Sequence, residues 1–329
     1  MIRFKKSLES VLNRTSLPEA GAYLLLLRKT IQTLLNMKSS VRPLAKDGLP
    51  GGLVYLSKNI PTVIVPDLHA RGGFFYRVLC FEPLTGTSVL DMLFEGKINV
   101  LCVGDGFHSE ARGRARWKEA FDEYATGYKK RNAMDEEMRE SFSLMEMVMM
   151  CKNKFPDNFF FLKGNHENIA NEEGDGNHPF RKYVFEGEMV REYVLRFYGE
   201  EFLDTFANFE HMLPILAVGN NFLTAHAEPM EPYTKDEIIN YRENPHVVYG
   251  LTWTDNDMAD ENSVALMLRD FLPDCRNAVF FGGHRPVPER FLLRAGGLHV
   301  QIHNPDKESV VFMQPDKGFD PDSDIIELR

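Results

Sequence analysis

Residues 159–167 read Phe159-Phe160-Phe161-Leu162-Lys163-Gly164-Asn165-His166-Glu167. A short, wholly apolar run breaks almost at once into a glycine, an amide, an imidazole and a carboxylate. Runs this short and this apolar suit strands buried on both faces. The same pattern recurs along the chain. Residues 62–65 run into Pro66-Asp67-Leu68-His69, and residues 98–103 into Gly104-Asp105-Gly106. Residues 222–225 run into His226, and residues 278–281 into Gly282-Gly283-His284. Helix-like stretches such as 134–152 and 188–197 separate most of these runs. The alternation predicts an α/β fold with sheet covered by helices. Ligands in such folds gather at the carboxyl ends of the strands. Five polar clusters at five strand ends are therefore expected to meet on one rim.

The side chains at those ends are Asp67, His69, Asp105, Asn165, His166, His226 and His284. Carboxylate and imidazole are the usual ligands of borderline divalent ions, with an amide oxygen as a weaker neutral donor. Asp67 and His69 are two residues apart, so on an extended segment they share a face and can grip one ion. Asp105 can offer one oxygen to each of two ions, with Asn165, His226 and His284 on the second. Two ions about 3.5–4 Å apart clamp a phosphoryl group and activate a water. Each piece alone is weak. Asp-x-His is common, Gly104-Asp105-Gly106 reads as a turn, and a lone histidine is more often a satisfied core residue. Gly164-Asn165-His166-Glu167 is far more specific, and all five clusters in this order make the metal reading the stronger one.

These motifs resemble the calcineurin-like metallophosphoesterases, and within them the phosphoprotein phosphatase branch, over about residues 60–313. Asp67-Leu68-His69, Gly104-Asp105, Gly164-Asn165-His166-Glu167, His226 and Gly283-His284 follow that pattern in order. Leu251-Thr252-Trp253-Thr254-Asp255 is similar to the branch's L-W-S-D segment, and Gly283-His284-Arg285-Pro286-Val287 to its bacterial G-H-T-P-V form. The resemblance implies a sandwich of two mixed β-sheets flanked by helices. It implies two divalent ions, with Mn²⁺ favoured and Fe or Zn²⁺ also suited to N/O ligands. Asp67 and His69 would hold the first ion, Asp105 would bridge, and Asn165, His226 and His284 would hold the second. Asn165 would also touch substrate. His166 would stay off the metals and protonate the leaving oxygen, a task suited to imidazole near neutral pH.

The chain departs from the branch at its second motif. Where G-D-x-x-D-R-G is usual, it has Gly104-Asp105-Gly106-Phe107-His108-Ser109-Glu110. The Asp that would orient His166 is His108, and the Arg that would bind phosphate is Ser109. Arg offers bidentate phosphate contacts that Ser cannot. Arg71 and Arg285, each beside an expected ligand, are candidates to restore the charge, and His108 is a candidate phosphate or metal contact. The competing reading is an ordinary ion pair for each arginine and a surface-loop histidine for His108. His226-Ala227-Glu228 likewise replaces His-Gly-Gly. The interval from Asp105 to Asn165 is long for the branch, and the excess falls near residues 110–135, rich in Arg and Lys. This insertion is expected to form either a cap over the site or a solvated charged hairpin.

The chain has 329 residues, 43% hydrophobic and 26% charged, with 38 Lys plus Arg against 48 Asp plus Glu and a net charge of −10. That acidity argues against bulk binding of nucleic acid or anionic membrane. Four scattered cysteines without C-x-x-C spacing suit reduced thiols and a cytoplasmic setting. No run is long enough to span a bilayer. Residues 1–58 are expected to form an N-terminal helical extension and linker, helical over 7–40 with a start near Ser16-Leu17-Pro18-Glu19. Residues 59–313 form the expected catalytic domain, ending in a β-hairpin of 298–303 and 309–313 around Asn304-Pro305-Asp306-Lys307. Residues 314–329 form an acidic, loosely held tail.

The leading function is hydrolysis of a phosphomonoester, on a protein or a nucleotide, by direct attack of a hydroxide activated by the two ions. Dinucleoside polyphosphate or phosphodiester cleavage competes on the same site. A catalytically weak metal-binding interaction module competes from another class, prompted by His108 and Ser109.

Overall fold

The computed structural model describes residues 1–275, 277–315 and 317–328. Its strands are β1 (Leu53–Tyr55), β2 (Thr62–Val65), β3 (Asn99–Cys102), β4 (Phe159–Phe161), β5 (Leu216–Val218), β6 (Phe222–Thr224), β7 (Val279–Gly282), β8 (Leu292–Arg294), β9 (His299–Gln301), β10 (Ser309–Met313) and β11 (Ile325–Glu327). They form a six-stranded sheet ordered β1-β5-β6-β7-β9-β8 and a five-stranded sheet ordered β11-β10-β2-β3-β4. Both are mixed. β2, β3 and β4 run parallel while β10 opposes β2, and β6, β7 and β9 run parallel while β5 opposes β6. The β2–β4 and β6–β7 runs are the Val-, Ile- and Phe-rich stretches read from the sequence, and nearly all of their residues are buried.

Helices flank the sheets: α1 (Ile2–Leu12), α2 (Ala20–Leu35), α3 (Gly72–Cys80), α4 (Val89–Phe94), α5 (Arg114–Ala125), α6 (Asn132–Lys154), α7 (Glu186–Phe197), α8 (Glu200–His211), α9 (Lys235–Ile239), α10 (Pro245–Thr252), α11 (Ser263–Phe271) and α12 (Pro321–Asp324). Among the described residues, no helix is long and apolar enough to cross a membrane. Tyr23, Leu27, Ile31 and Leu34 make one apolar stripe on α2, buried in the same core as Val63, Leu101 and Phe160. The N-terminal helices therefore share the core of the main fold.

Four local expectations change. The helix expected over 7–40 is two helices. Residues 13–19 break it, and Glu19 caps α2 by accepting the Gly21 and Ala22 N–H groups. β1, inside the expected extension and linker, pairs with β5 in the six-stranded sheet. The expected terminal hairpin does not form. β9 pairs with β7 and β8, whereas β10 pairs with β2 and β11 in the other sheet. Asn304-Pro305-Asp306-Lys307 does turn the chain, but it carries it from one sheet to the other across the rim. The acidic tail is also anchored. Asp320 caps α12, Lys317 pairs with Asp324, and β11 closes the edge of the five-stranded sheet.

Candidate metal centre

The structure brings the strand-end side chains together. β2, β3 and β4 of one sheet and β6 and β7 of the other end at the same rim, and they deliver Asp67 and His69, Asp105, Asn165 and His166, His226, and His284. Asp67-Leu68-His69 is not extended, however. His69 and Ala70 form a turn with φ of 40° and 56°, and this turn aims His69 at Asp105. Asp105, His108, Glu110 and His284 also lie in the left-handed region, with φ of 52°, 77°, 51° and 64°. Non-glycine residues seldom adopt it, and where they do they cluster at functional sites.

Close backbone approach sets the spacing. A Cβ on Gly283 would lie 1.7 Å from Asp67 Oδ1, and one on Gly164 would lie 2.2 Å from Asp105 Oδ1. Glu167 straps two ligand loops to each other. It accepts N–H groups from Gly164 at 2.6 Å, Asp105 at 2.9 Å and Gly106 at 2.8 Å.

Two sets of acceptor atoms meet on Asp105. Its Oδ2 lies 3.5 Å from His69 Nε2 and 3.4 Å from His226 Nε2. On the first side, His69 Nδ1 donates to the His108 carbonyl at 3.0 Å, so its Nε2 lone pair faces Asp105 and, at 3.9 Å, Asp67. On the second side, His226 Nδ1 donates to the Val103 carbonyl at 3.1 Å. Its Nε2 then faces Asn165 Oδ1 at 2.9 Å, and His284 Nδ1 lies 3.0 Å from the same oxygen.

Burial holds the His69 imidazole down at about 3, against Glu110 and Asp67. Burial lowers His226 as well, and lowers His284 strongly with help from His226 and Arg285. These rings are therefore neutral at pH 7, and the Nε2 lone pairs of His69 and His226 point at the Asp105 and Asn165 oxygens. Burial, then Asp67 and Glu167, push Asp105 well up. Asp67 Oδ1 is buried without a partner. Burial and the neighbouring carboxylates thus favour the protonated Asp105 in the ion-free site, and a cation among these oxygens and ring nitrogens would return it to the carboxylate. The donor chemistry of carboxylate, neutral imidazole and amide oxygen fits divalent ions.

His166 sits beside this group, its Nε2 3.9 Å from Asp105 Oδ2 and its ring 4.7 Å from that of Phe180. Its Nδ1 is buried without a partner. His108 is buried and stacks on Trp117 at 4.9 Å. Its Nδ1 accepts the Glu110 N–H at 3.2 Å, and its Nε2 faces Glu186 at 3.5 Å. Ser109 turns away from the rim, bonding Glu137 through both its N–H and its Oγ. Arg71 is buried, with its guanidinium bonded to the carbonyls of Asp67, Leu68 and Pro305. Arg285 is 43% exposed and pairs with Asp255 at 2.5 Å. In the inserted segment, Arg112 and Arg116 both pair with Glu140. Arg112 also reaches the carbonyls of His69 and Ala70.

Sequence reasoning missed three residues here. His303, at the end of β9, is fully buried and groups with Asp67 and His69 as a potential ion-holding set. Glu110 projects into the same group, 3.5 Å from His69 Nε2 and 3.0 Å from His303 Nε2. Lys182 reaches Glu110 at 2.6 Å. His303 follows a strand that alternates apolar and polar residues (Leu298-His299-Val300-Gln301-Ile302), so the wholly apolar run that marks the other ligands is missing before it. Nothing in the sequence marks Glu110 or Lys182.

Imidazoles, carboxylates and an amide at the carboxyl rim of two mixed sheets define an α/β enzyme built to hold metal. The calcineurin-like phosphoesterase profile matches residues 60–311, and the chain belongs to that family. It is a metal-dependent phosphoesterase, a hydrolase of phosphoric esters. The family uses dinuclear centres. The fold is similar to that of a protein serine/threonine phosphatase from Saccharomyces cerevisiae, with a TM-score of 0.53 and 14% identity over 94% of this chain and 89% of that one. A cold-active protein tyrosine phosphatase from a Shewanella species matches with a TM-score of 0.44 and 12% identity over 84% of this chain and 82% of that one. At such identities the likeness concerns fold alone. None of the curated proteins matches the sequence.

Proposed function

We propose that the chain hydrolyses phosphomonoesters at a two-ion centre. Asp67 and His69 would hold the first ion, Asn165, His226 and His284 the second, and Asp105 both. The observation that carries this reading is the Asp105 carboxylate, placed almost equally from His69 Nε2 and His226 Nε2. When bound, the two ions supply an activated water and neutralise charge on the phosphoryl oxygens. Mn²⁺ is the metal we favour.

Asn165 and the half-exposed Arg285 would orient the phosphoryl group, and His166 would give a proton to the leaving oxygen. Burial, then His108 and His69, hold the free His166 imidazole neutral. It would therefore take up its proton together with the anionic substrate. We assign Arg71 to holding the Asp67 loop through its three carbonyl contacts, and His108 to supporting the His166 ring, which lies 5.0 Å from its own. A second reading, cleavage of a diester or pyrophosphate, is favoured by one observation. Ser109 is tied to Glu137 where the branch carries its phosphate-binding Arg, and a dianionic monoester loses most from that exchange.

The test measures hydrolysis of p-nitrophenyl phosphate, an alkyl phosphate, bis-p-nitrophenyl phosphate and a dinucleoside polyphosphate, with Mn²⁺ and after chelation. His166→Ala should keep its metal and lose about 10²–10⁴-fold in rate on the alkyl phosphate, with a smaller loss on the better leaving group. Equal alkyl phosphate rates for variant and parent would remove the proton-donor role. Turnover confined to the diester or the polyphosphate would replace the monoester reading.

A further inference from the structure

We propose that His303 is a ligand of the first ion through Nδ1, and that Glu110 is the positioning residue that orients its ring. The inference rests on the two-ion reading above and extends it to residues outside the expected ligand set.

Three observations carry it. The His303 ring is fully buried, and its Nε2 lies 3.0 Å from Glu110 Oε2. A carboxylate only accepts, so Nε2 carries the hydrogen and Nδ1 is the ring nitrogen left to face Asp67. That Nδ1 is buried without a hydrogen-bond partner and lies 3.8 Å from Asp67 Oδ2. His69 Nε2 lies at a similar 3.9 Å from the same oxygen. Metal–ligand bonds of about 2.1 Å put neighbouring ligand atoms roughly 3–4 Å apart, so all three atoms suit one cation.

Glu110 is the third observation. It is buried at 4% exposure, and both of its oxygens have donors, Oε2 from His303 and Oε1 from Lys182 Nζ at 2.6 Å. With both oxygens engaged, Glu110 orients the ligand rather than serving as one. A carboxylate behind a histidine fixes the tautomer and raises the basicity of the ring nitrogen that faces the metal. Its backbone φ of 51° turns the side chain inward from a position that favours glycine. Arg71, bonded to both the Asp67 and Pro305 carbonyls, ties the His303 crossover to the first ligand loop.

The experiment uses full-length protein stripped with chelator and titrated with Mn²⁺ by calorimetry. Co²⁺ loading follows, because its visible spectrum reports nitrogen ligands. The parent should bind two ions. His303→Ala should lose one ion, or bind it at least tenfold more weakly, and should change the Co²⁺ spectrum. Glu110→Gln keeps an acceptor for the His303 N–H but loses the charge. It should weaken the same ion by about 10–100-fold and leave the other unchanged. A His303–Glu110 pair that only supported the fold would lower the melting temperature of the stripped protein and leave Mn²⁺ affinity alone. Parent-like affinity for both ions in either folded variant would overturn the proposal. Should His303→Ala fail to fold, Glu110→Gln decides. A parent that binds no ion, or an Asp105→Asn variant that binds two normally, would instead bring down the two-ion reading itself.

Discussion

Gly283→Ala tests the geometry of the centre without touching a ligand. The backbone at Gly283 is not left-handed, so alanine meets no conformational penalty there. Its Cβ would lie 1.7 Å from Asp67 Oδ1, 2.8 Å from Asp67 Cγ and 3.1 Å from Val103 Cγ2. Reaching ordinary contact requires the carboxylate to retreat by about 1.5 Å. Asp67 is fully buried, and its Oδ2 accepts the His284 N–H at 2.9 Å, so retreat also breaks that bond. Overpacking costs about 1–3 kcal/mol, and losing a hydrogen bond to a charged group about 1.5–3 kcal/mol. The stripped variant should thus be less stable by roughly 3–5 kcal/mol. For a chain this long, that is a fall in melting temperature of about 4–7 °C. The sharper measurement is the response to Mn²⁺. An ion supplied at a hundred times its Kd stabilises by about 2.7 kcal/mol. A displaced Asp67 that weakens the first ion hundredfold would reduce this to about 0.4 kcal/mol. Thermal melts of parent and variant with and without Mn²⁺ measure the difference directly. If Mn²⁺ raises the melting temperature of both by the same amount, Asp67 is not holding an ion where the structure puts it.

Two further outcomes concern the scaffold. Glu167→Ala orphans the Gly164, Asp105 and Gly106 N–H groups, each worth about 1–3 kcal/mol when left unpaired. Urea unfolding should show a loss of at least about 3 kcal/mol, and a loss under about 1 kcal/mol would refute the strap. Lys152 lies away from the site. Burial, then Arg42, lower its ammonium to about 7, while Pro156 and Phe159 carbonyls accept from it. An unfolded lysine titrates near 10.5, so between pH 7 and 10.5 the unfolded chain holds more protons. This contribution is fully present above about pH 10.5, is lost as pH falls to about 7, and is flat below. Lys152→Met removes it. The stability difference between parent and variant should therefore change by roughly 3–5 kcal/mol across that window. A difference independent of pH would contradict a buried, easily neutralised lysine.

The parts of the fold legible in the sequence were those whose signal is local. β2, β3, β4, β6 and β7 are apolar runs that stop at ligand-type residues, so both the strands and their polar ends could be read. β1, β5, β8 and β11 are three-residue strands that no histidine or carboxylate follows, so nothing local marks them. The crossover at residues 303–308 is hidden for a different reason. Asn304-Pro305-Asp306-Lys307 encodes a reversal of direction, but which sheet receives the returning strand depends on partners distant in sequence. His108 and Ser109 were visible as departures from a pattern. Where they point was not, because a left-handed φ at His108 and Glu110 has no sequence signature in residues that usually avoid it. Arg71 and Arg285 looked alike as cations beside ligands. Only packing separates the one buried on three carbonyls from the one half exposed to solvent.

That strain explains why the centre and the fold cannot be treated separately. Six non-glycine residues of the rim, His69, Ala70, Asp105, His108, Glu110 and His284, hold left-handed backbone, and each costs of order 1–3 kcal/mol. Buried lone pairs of His69 and His226 add to this by facing side-chain oxygens. Domain stabilities are only about 5–15 kcal/mol, so the rim on its own works against the rest of the molecule. What holds it is the Glu167 strap, the Arg71 contacts across the crossover and the close approaches allowed by Gly164 and Gly283. A cation placed among those lone pairs removes the electrostatic part of the cost, and its binding energy becomes folding energy. The strain also has a chemical use. Loops locked at unfavourable dihedrals cannot drift toward a more comfortable ligand spacing, so the donor atoms stay fixed while charge shifts during phosphoryl transfer.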